Sequence, residues 1–225
     1  VKLVKWDYAK SSLLGTDGDF SQEYTRSYFS GEQEESPSSN SFYYWNNAGT
    51  NNWSESNLNK INLNTNFVNN IGTIWAKKIA TTTWKVGGVS YANIVTSVPK
   101  TAYQYEVGSS ASSTTHDAKI GLMYVTDYYY SASPSAWTLV GYNESDATKD
   151  YRFLKGENWL YGGGNEWTIS CLSDITFSVF YVNRFGLLSN NHVSDNFGVR
   201  PSFNLLSSTT YVSGSGSMSD PIRIN

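Results

Sequence analysis

Charge is scarce in this 225-residue chain. Only 16% of its residues are Asp, Glu, Lys or Arg, and they sum to a formal net charge of −3 with a pI near 5.4. So weak a balance leaves no electrostatic footprint for a phosphate backbone, and nucleic acid is not an expected partner. Cysteine occurs once, at Cys171, which excludes an internal disulfide framework and any multi-cysteine metal site. No run of 18 apolar residues exists, so no direct insertion of this chain into a membrane is expected. Histidine occurs twice, at His116 and His192, which leaves little material for base-assisted nucleophilic chemistry. The opening Val1-Lys2-Leu3 is neither an initiator Met nor a signal peptide, and it reads as the start of a trimmed or mature fragment.

Aromatic residues are abundant instead: 17 Tyr, 10 Phe and 8 Trp. Ser, Asn, Thr, Gly and Tyr take the places that Lys and Glu usually hold on a soluble surface. The same residues dominate binding loops, where they give contact area and hydrogen bonds at modest entropic cost. An extracellular or cell-surface protein is the expectation.

Helical periodicity is confined to 54–81. Ser54-Glu55-Ser56-Asn57 reads as a cap with an acidic first turn, after which Leu58 and Ile61 share a face. Phe67, Ile71, Ile74, Trp75 and Ile79 predict a second short helix interrupted near Gly72. Strand-like runs follow at 83–86, 118–125, 166–170, 178–182, 198–205 and 221–224. Gly/Ser/Asn/Asp stretches at 107–117, 131–136, 143–150 and 206–220 separate them. No linker and no fixed-period repeat is visible, so one domain over 1–225 is expected. Its class is α+β: two short helices, small antiparallel sheets and long irregular loops.

Chemistry-bearing patterns are few. His116 in Ser113-Thr114-Thr115-His116-Asp117 reads as a solvated turn. Cys171 reads as a buried small hydrophobe. Trp159-Leu160-Tyr161-Gly162-Gly163-Gly164 lacks the lysine and following helix of a phosphate loop, so a tight turn is expected. The acidic stretch from Glu144 to Asp150 lacks calcium-loop spacing. Trp45, Trp53, Trp75, Trp84, Trp137, Trp159 and Trp167 suit core and rim packing, with the indole N–H at an edge. No metal and no cofactor is called for.

One segment departs from the rest in composition. From Cys171 to Gly198 the 28 residues include no Lys, Gln, Glu, Met or Trp, types that form roughly a sixth of the remaining chain. Against ordinary usage, a fixed window of that length free of all five is expected in under about 1% of cases. The five missing types are those that no codon ending in a pyrimidine encodes.

Several ordered motifs carry a family likeness. They are Ala118–Tyr128, Ala132–Trp137, Asn158-Trp159-Leu160, Glu166-Trp167-Thr168-Ile169-Ser170, Gly198-Val199-Arg200-Pro201-Ser202-Phe203, Ser213–Gly216 and Asp220–Ile224. Asn62–Phe67 and Thr83–Gly88 add to them. Together they resemble a large group of surface proteins from gut Firmicutes with C-type lectin folds. Some members of that group are the variable proteins of diversity-generating retroelements. In those systems template adenines are replaced at random during reverse transcription, and Asn-type codons ending in a pyrimidine yield sets lacking Lys, Gln, Glu, Met and Trp. The resemblance therefore implies an origin for the gap at 171–198. The chain departs from calcium-dependent sugar-binding lectins, whose Glu-Pro-Asn, Gln-Pro-Asp and Trp-Asn-Asp triplets it lacks. It also lacks the paired cysteines of sulfatase-activating relatives.

The resulting expectation is a non-enzymatic binding domain of C-type lectin fold, tethered at a cell surface by an N-terminal region absent from this chain. Trp167, Val199, Pro201 and Phe203 would hold a face built by 171–198. Its contact residues would be Asn183, Arg184, Phe185, Leu187, Ser189, Asn190, His192, Ser194, Asp195, Asn196 and Phe197. Val179 and Tyr181 would alternate with Ser178, Phe180 and Val182 across a strand. Gly186 would make a turn, and Arg200 would brace loops through backbone carbonyls. The partner would be an unknown protein or glycan. Rival expectations are an adhesin with a fixed glycan target and a hydrolase built on Asp127 and Glu166.

Overall fold

The computed structural model describes residues 1–26, 29–30, 33–34, 38–95, 98–137, 157–217 and 219–225; the 143–150 stretch, with its acidic residues, lies outside them. The chain opens with a short strand, β1 (Lys2–Val4). A hairpin of β2 (Phe20–Arg26) and β3 (Ser38–Tyr44) follows, with Phe20 opposite Tyr43. After the helical region, β4 (Thr82–Lys85) pairs with β5 (Thr115–Ala118), and β6 (Ile120–Gly121) comes directly after. The central sheet is formed by β7 (Glu166–Cys171), β8 (Ser178–Val182) and β9 (Leu188–His192), in the order β9-β8-β7. Then β10 (Asn196–Phe197) joins β3, and β11 (Ser202–Asn204) inserts between β1 and β6. The hairpin of β12 (Tyr211–Ser213) and β13 (Arg223–Ile224) ends the chain. All these pairings are antiparallel.

The fold is mixed α+β, with more helix than the periodicity indicated. Among the described residues there are six short α-helices, a π-helix at Leu58–Phe67 and a 3-10 turn at Pro134–Ala136. The π-helix explains why 3.6-residue spacing misjudged this stretch. Its buried side chains fall in groups, Leu58 and Asn59, then Asn62 and Leu63, then Phe67, four to five residues apart, in keeping with i→i+5 hydrogen bonding. Ile61 is only half-buried, and Ile74 and Trp75 on the next helix, Thr73–Ala76, are exposed. Gly72 breaks the two helices at a φ of +95°, a conformation that costs glycine little.

Helices outside 54–81 were not expected. Pro99–Glu106 begins with proline at its first turn, where the missing N–H costs nothing. The run 118–125, read as one buried strand, is broken. It contributes to β5 and β6 and then turns into the helix Val125–Tyr130, whose Asp127 carboxylate accepts the Tyr124 N–H at 2.7 Å. His116 lies in β5, half-buried with Nε2 2.9 Å from the Asn59 amide, and not in a solvated turn.

Burial on both faces defines the central sheet. Val179 belongs to one hydrophobic cluster with Trp167, Ile169 and Cys171, and Tyr181 packs against it. Phe180 and Val182 belong to a second cluster with Leu172, Leu187 and Leu188. The alternation expected for 178–182 is what separates the two cores. Trp45, Trp84 and Trp167 are fully buried, and each N–H finds a carbonyl: Thr168, Ala118 and Tyr43 respectively, at 2.8–3.1 Å. Trp159 is exposed and does not belong to either core.

Candidate functional site

The candidate face is the hairpin of β8 and β9 with the turns on either side of it. Five residue pairs, from Ser178 opposite His192 to Val182 opposite Leu188, set its register. At the tip, the Asn183 Oδ1 accepts the N–H groups of Phe185 (2.9 Å) and Leu187 (3.0 Å), while the Asn183 N–H donates to the Leu187 carbonyl at 2.9 Å. Such an Asx turn fixes the loop from inside. Gly186 takes φ +85°, and a Cβ there would lie 3.0 Å from the Tyr128 hydroxyl and 3.1 Å from the Tyr161 ring. Both tyrosines hold the tip through its main chain: Tyr128 donates to the Gly186 carbonyl at 2.9 Å and Tyr161 to the Arg184 carbonyl at 2.8 Å. The Arg184 N–H donates to the Asn165 side chain at 2.8 Å.

The same pattern holds at the other turns. The Asn51 side-chain amide lies 2.8–3.0 Å from the carbonyls of Leu172, Ile175 and Ser178, and its N–H donates to the Thr176 carbonyl. The Trp45 and Asn46 N–H groups both donate to the Val193 carbonyl. The Trp167 N–H donates to the Gly198 carbonyl and the Gly198 N–H to the Asn165 carbonyl, closing the segment onto β7. Among the hydrogen bonds between described residues, almost every one from the framework to 171–198 ends on a main-chain atom, which any side chain leaves in place.

Three of the expected contact residues are buried. Leu187 is 1% exposed in the second core. Phe197 is 8% exposed, with its ring 4.3 Å from Trp167 and 4.6 Å from Tyr181 between centroids. Asn183 is buried because its side chain organises the Asx turn. These three belong to the framework. They were read as contacts because a two-residue alternation through 183–197 was not visible in so polar a stretch.

The other eight reach solvent. Arg184 and His192 are exposed, and Phe185, Ser189, Asn190, Ser194, Asp195 and Asn196 are half-buried. The Arg184 guanidinium lies 4.7 Å from the centroid of the Phe185 ring. The His192 Nδ1 accepts from the Ser194 hydroxyl at 2.5 Å and from the Ser194 N–H at 3.2 Å. Its ring stacks on Phe177, with centroids 5.2 Å apart at 28°. Phe177 is itself exposed, as are Ser173, Asp174 and Thr176. This neighbouring turn lies within the expected 171–198 face, but none of its residues is among the eleven expected contact residues.

Beneath the face, Arg200 forks onto Glu166: Nε donates to Oε2 at 2.5 Å and Nη2 to Oε1 at 2.6 Å. Nη2 also donates to the Leu160 carbonyl and Nη1 to the Trp6 carbonyl, the backbone bracing expected of this residue. Burial costs both ions hydration, and their mutual attraction keeps the guanidinium charged. Glu166 is 0% exposed and fully engaged, while Asp127 pairs with Lys2 and caps its helix. The two carboxylates therefore form no shared reaction cleft.

Glu106 is a second buried carboxylate. It accepts the N–H groups of Val125 (3.0 Å) and Thr126 (2.8 Å) and the Ser170 hydroxyl. Burial pushes its pKa above the ordinary range, against the lowering effect of those donors. The neighbouring Cys171 thiol is buried, and desolvation raises its pKa to about 12, so it stays protonated and unreactive. Among the described residues, no cluster of three His, Cys, Asp or Glu side chains could hold a metal ion. No helix there is long and apolar enough to cross a membrane. No protein-family model, no curated protein and no solved structure matches this chain.

Proposed function

We propose that this chain is a non-enzymatic binding domain of C-type lectin type, displayed at a cell surface, whose 171–198 face is diversified by a retroelement. The observation that carries the reading is the division of labour within that segment. Main-chain atoms of 171–198 take the bonds from Asn51, Trp45, Tyr128, Tyr161, Asn165 and Trp167, while eight of the eleven expected contact side chains reach solvent. Recognition can then change without disturbing what holds the loops. The missing Lys, Gln, Glu, Met and Trp give independent support, because mutagenesis of pyrimidine-ended Asn codons produces that gap.

The rim chemistry suits a protein or glycan surface. Arg184 offers a planar charged fork, Phe185 and Phe177 offer apolar area, and the amides and hydroxyls between them adapt to varied donors and acceptors.

The test is a displayed library with Arg184, Phe185, Ser189, Asn190, His192, Ser194, Asp195 and Asn196 randomised through pyrimidine-ended codons. Most members should fold cooperatively, and selections against unrelated proteins should return different clones. A library that mostly unfolds, or one that never yields distinct specificities, overturns the reading. In the genome, an imperfect repeat of the 171–198 coding region beside a reverse-transcriptase gene is the expected companion.

A further inference from the structure

From Ser56 to Tyr105 the chain carries five lysines and no Asp or Glu, although its net charge is −3. Two of those lysines, Lys77 and Lys78, follow directly on the helix Thr73–Ala76. That helix stands out from the surface. Ile74 is 77% exposed and Trp75 42%, and a Cβ at the preceding Gly72 would meet nothing within 4 Å. A third lysine joins it: Lys119, between β5 and β6, donates to the Ala76 carbonyl at 3.2 Å. Leu206, also exposed, sits beside them, its N–H on the Lys78 carbonyl at 2.8 Å. Among the described residues neither Lys77 nor Lys78 has a carboxylate partner. Asp117, two residues before Lys119, accepts the Thr83 hydroxyl at 2.6 Å and is one carboxylate against three ammonium groups. The result is an apolar tip ringed by positive charge.

We infer that this knob is a peripheral membrane-contact site, on which the domain rests against a bilayer of anionic lipid. Charge complementarity and shape together select that partner. A dissolved polyanion would match the lysines and leave Ile74 and Trp75 in water. An apolar protein surface would cover the two apolar side chains and strip water from the lysines without pairing them, a net cost. An anionic bilayer answers both: its headgroup phosphates take the ammonium groups, and the boundary with the acyl chains takes Ile74 and the Trp75 ring. The Trp75 indole N–H has no acceptor among the described residues and is free for a headgroup oxygen, the arrangement that favours tryptophan at membrane interfaces. This is attachment to one leaflet, not passage through it.

Every residue named for the knob lies outside 171–198, and none shares a hydrogen bond with that segment among the described residues. Contact with lipid is therefore independent of diversification of the binding face.

The experiment is co-sedimentation of the intact chain with vesicles of equimolar phosphatidylglycerol and phosphatidylcholine, and with vesicles of phosphatidylcholine alone. Accessible lipid is set at about 1 mM, roughly tenfold above what half-saturates a single acyl-chain anchor. Pelleting with the anionic vesicles is expected, and none with the neutral ones. Raising salt to about 1 M, where the screening length is roughly 3 Å, should release the protein. Lys77→Gln with Lys78→Gln should weaken binding about 25-fold, about fivefold for each charge near the surface. Ile74→Ser should weaken it at least about threefold. Ile74 and Lys77 are exposed and Lys78 is half-buried, so melting curves should match the parent in both variants. Arg184→Ser with His192→Ser should leave lipid binding unchanged, which separates this site from the diversified face. No pelleting with anionic vesicles, equal pelleting with neutral ones, or indifference to Ile74 and both lysines overturns the proposal. Equal binding to soluble polyglutamate also overturns it, because an acidic polymer would then satisfy the site without a bilayer.

Discussion

Two arginines of the C-terminal third show how differently one side chain can be used. Arg200 is almost wholly enclosed and forked onto Glu166, while Arg184 is exposed above Phe185. The first joins β7 to the backbone at Leu160 and Trp6; the second is tied at its N–H to Asn165 and at its carbonyl to Tyr161. The difference teaches that the framework here is defined by where side chains end, and the rim by where main chains end. The sharpest way to break that contrast is Arg200→Met. It leaves the Glu166 carboxylate buried without a partner and should cost about 3–5 kcal/mol in urea unfolding. Adding Glu166→Leu should restore much of the loss, since removing both ions removes the unmatched one. A single-variant cost below about 1 kcal/mol would place Arg200 with the rim.

A smaller contrast separates two asparagines of the 171–198 segment. The Asn183 side chain satisfies two tip amides, while Asn196 is half-buried and contributes to the sheet through its backbone pairing with Tyr44. Asn183→Ala should cost about 1–3 kcal/mol, the range for a buried group left unsatisfied. Asn196→Ala should stay within about 0.5 kcal/mol. Equal costs, read from paired denaturation curves, would erase the division inside the 171–198 segment.

Glu106 sharpens the comparison through pH. It ties the start of the helix that carries Tyr128, so it supports the tip from a distance. Its native pKa is raised above the ordinary 4.5, so the folded state binds its proton more tightly than the unfolded chain. The stability it contributes is then whole below about 4.5 and is lost as pH rises through the raised native value. The penalty of Glu106→Gln should accordingly be largest near pH 4 and shrink towards pH 8. A penalty that grows with pH would mean that the carboxylate is held ionised by its donors.

Much of the central sheet was legible because β8 obeys a strict alternation, and because Trp167 and Ile169 repeat it on β7. The compositional gap was legible too, since composition needs no geometry. The N-terminal hairpin and the helices at Pro99–Glu106 and Val125–Tyr130 were not. Short elements in this chain are stabilised by long-range ties, such as Glu106 to Val125 and Thr126, that leave no local period. The π-helix was misread for a related reason, because its buried positions follow a longer turn than the one assumed. Within the candidate face, the burial of Leu187 and Phe197 was not legible: both are apolar residues at the edges of strands, and their depth depends on which way those strands pleat. That orientation follows from the partner strands, and the Asn-rich β9 offers no hydrophobic alternation to reveal it.

The smallest effects belong to the rim, and there the comparison is most exposed to failure. His192 stacks on Phe177 and accepts from Ser194, and all of these contacts lie at the surface. His192→Ala and Arg184→Ser should each move unfolding free energy by less than about 0.5 kcal/mol, because the ties from Asn51, Trp45 and Tyr161 end on atoms that neither substitution touches. The two together should be additive, since they share no partner among these contacts. Hydrogen exchange at the hairpin amides is the readout that decides, because it reports local opening where global melting would not. Unchanged protection of Leu187 N–H and Val193 N–H in the double variant means that rim and framework are energetically separate. A loss of protection confined to those amides would show that rim side chains help to hold their own backbone, and exchangeability would then be limited to residues able to replace that support.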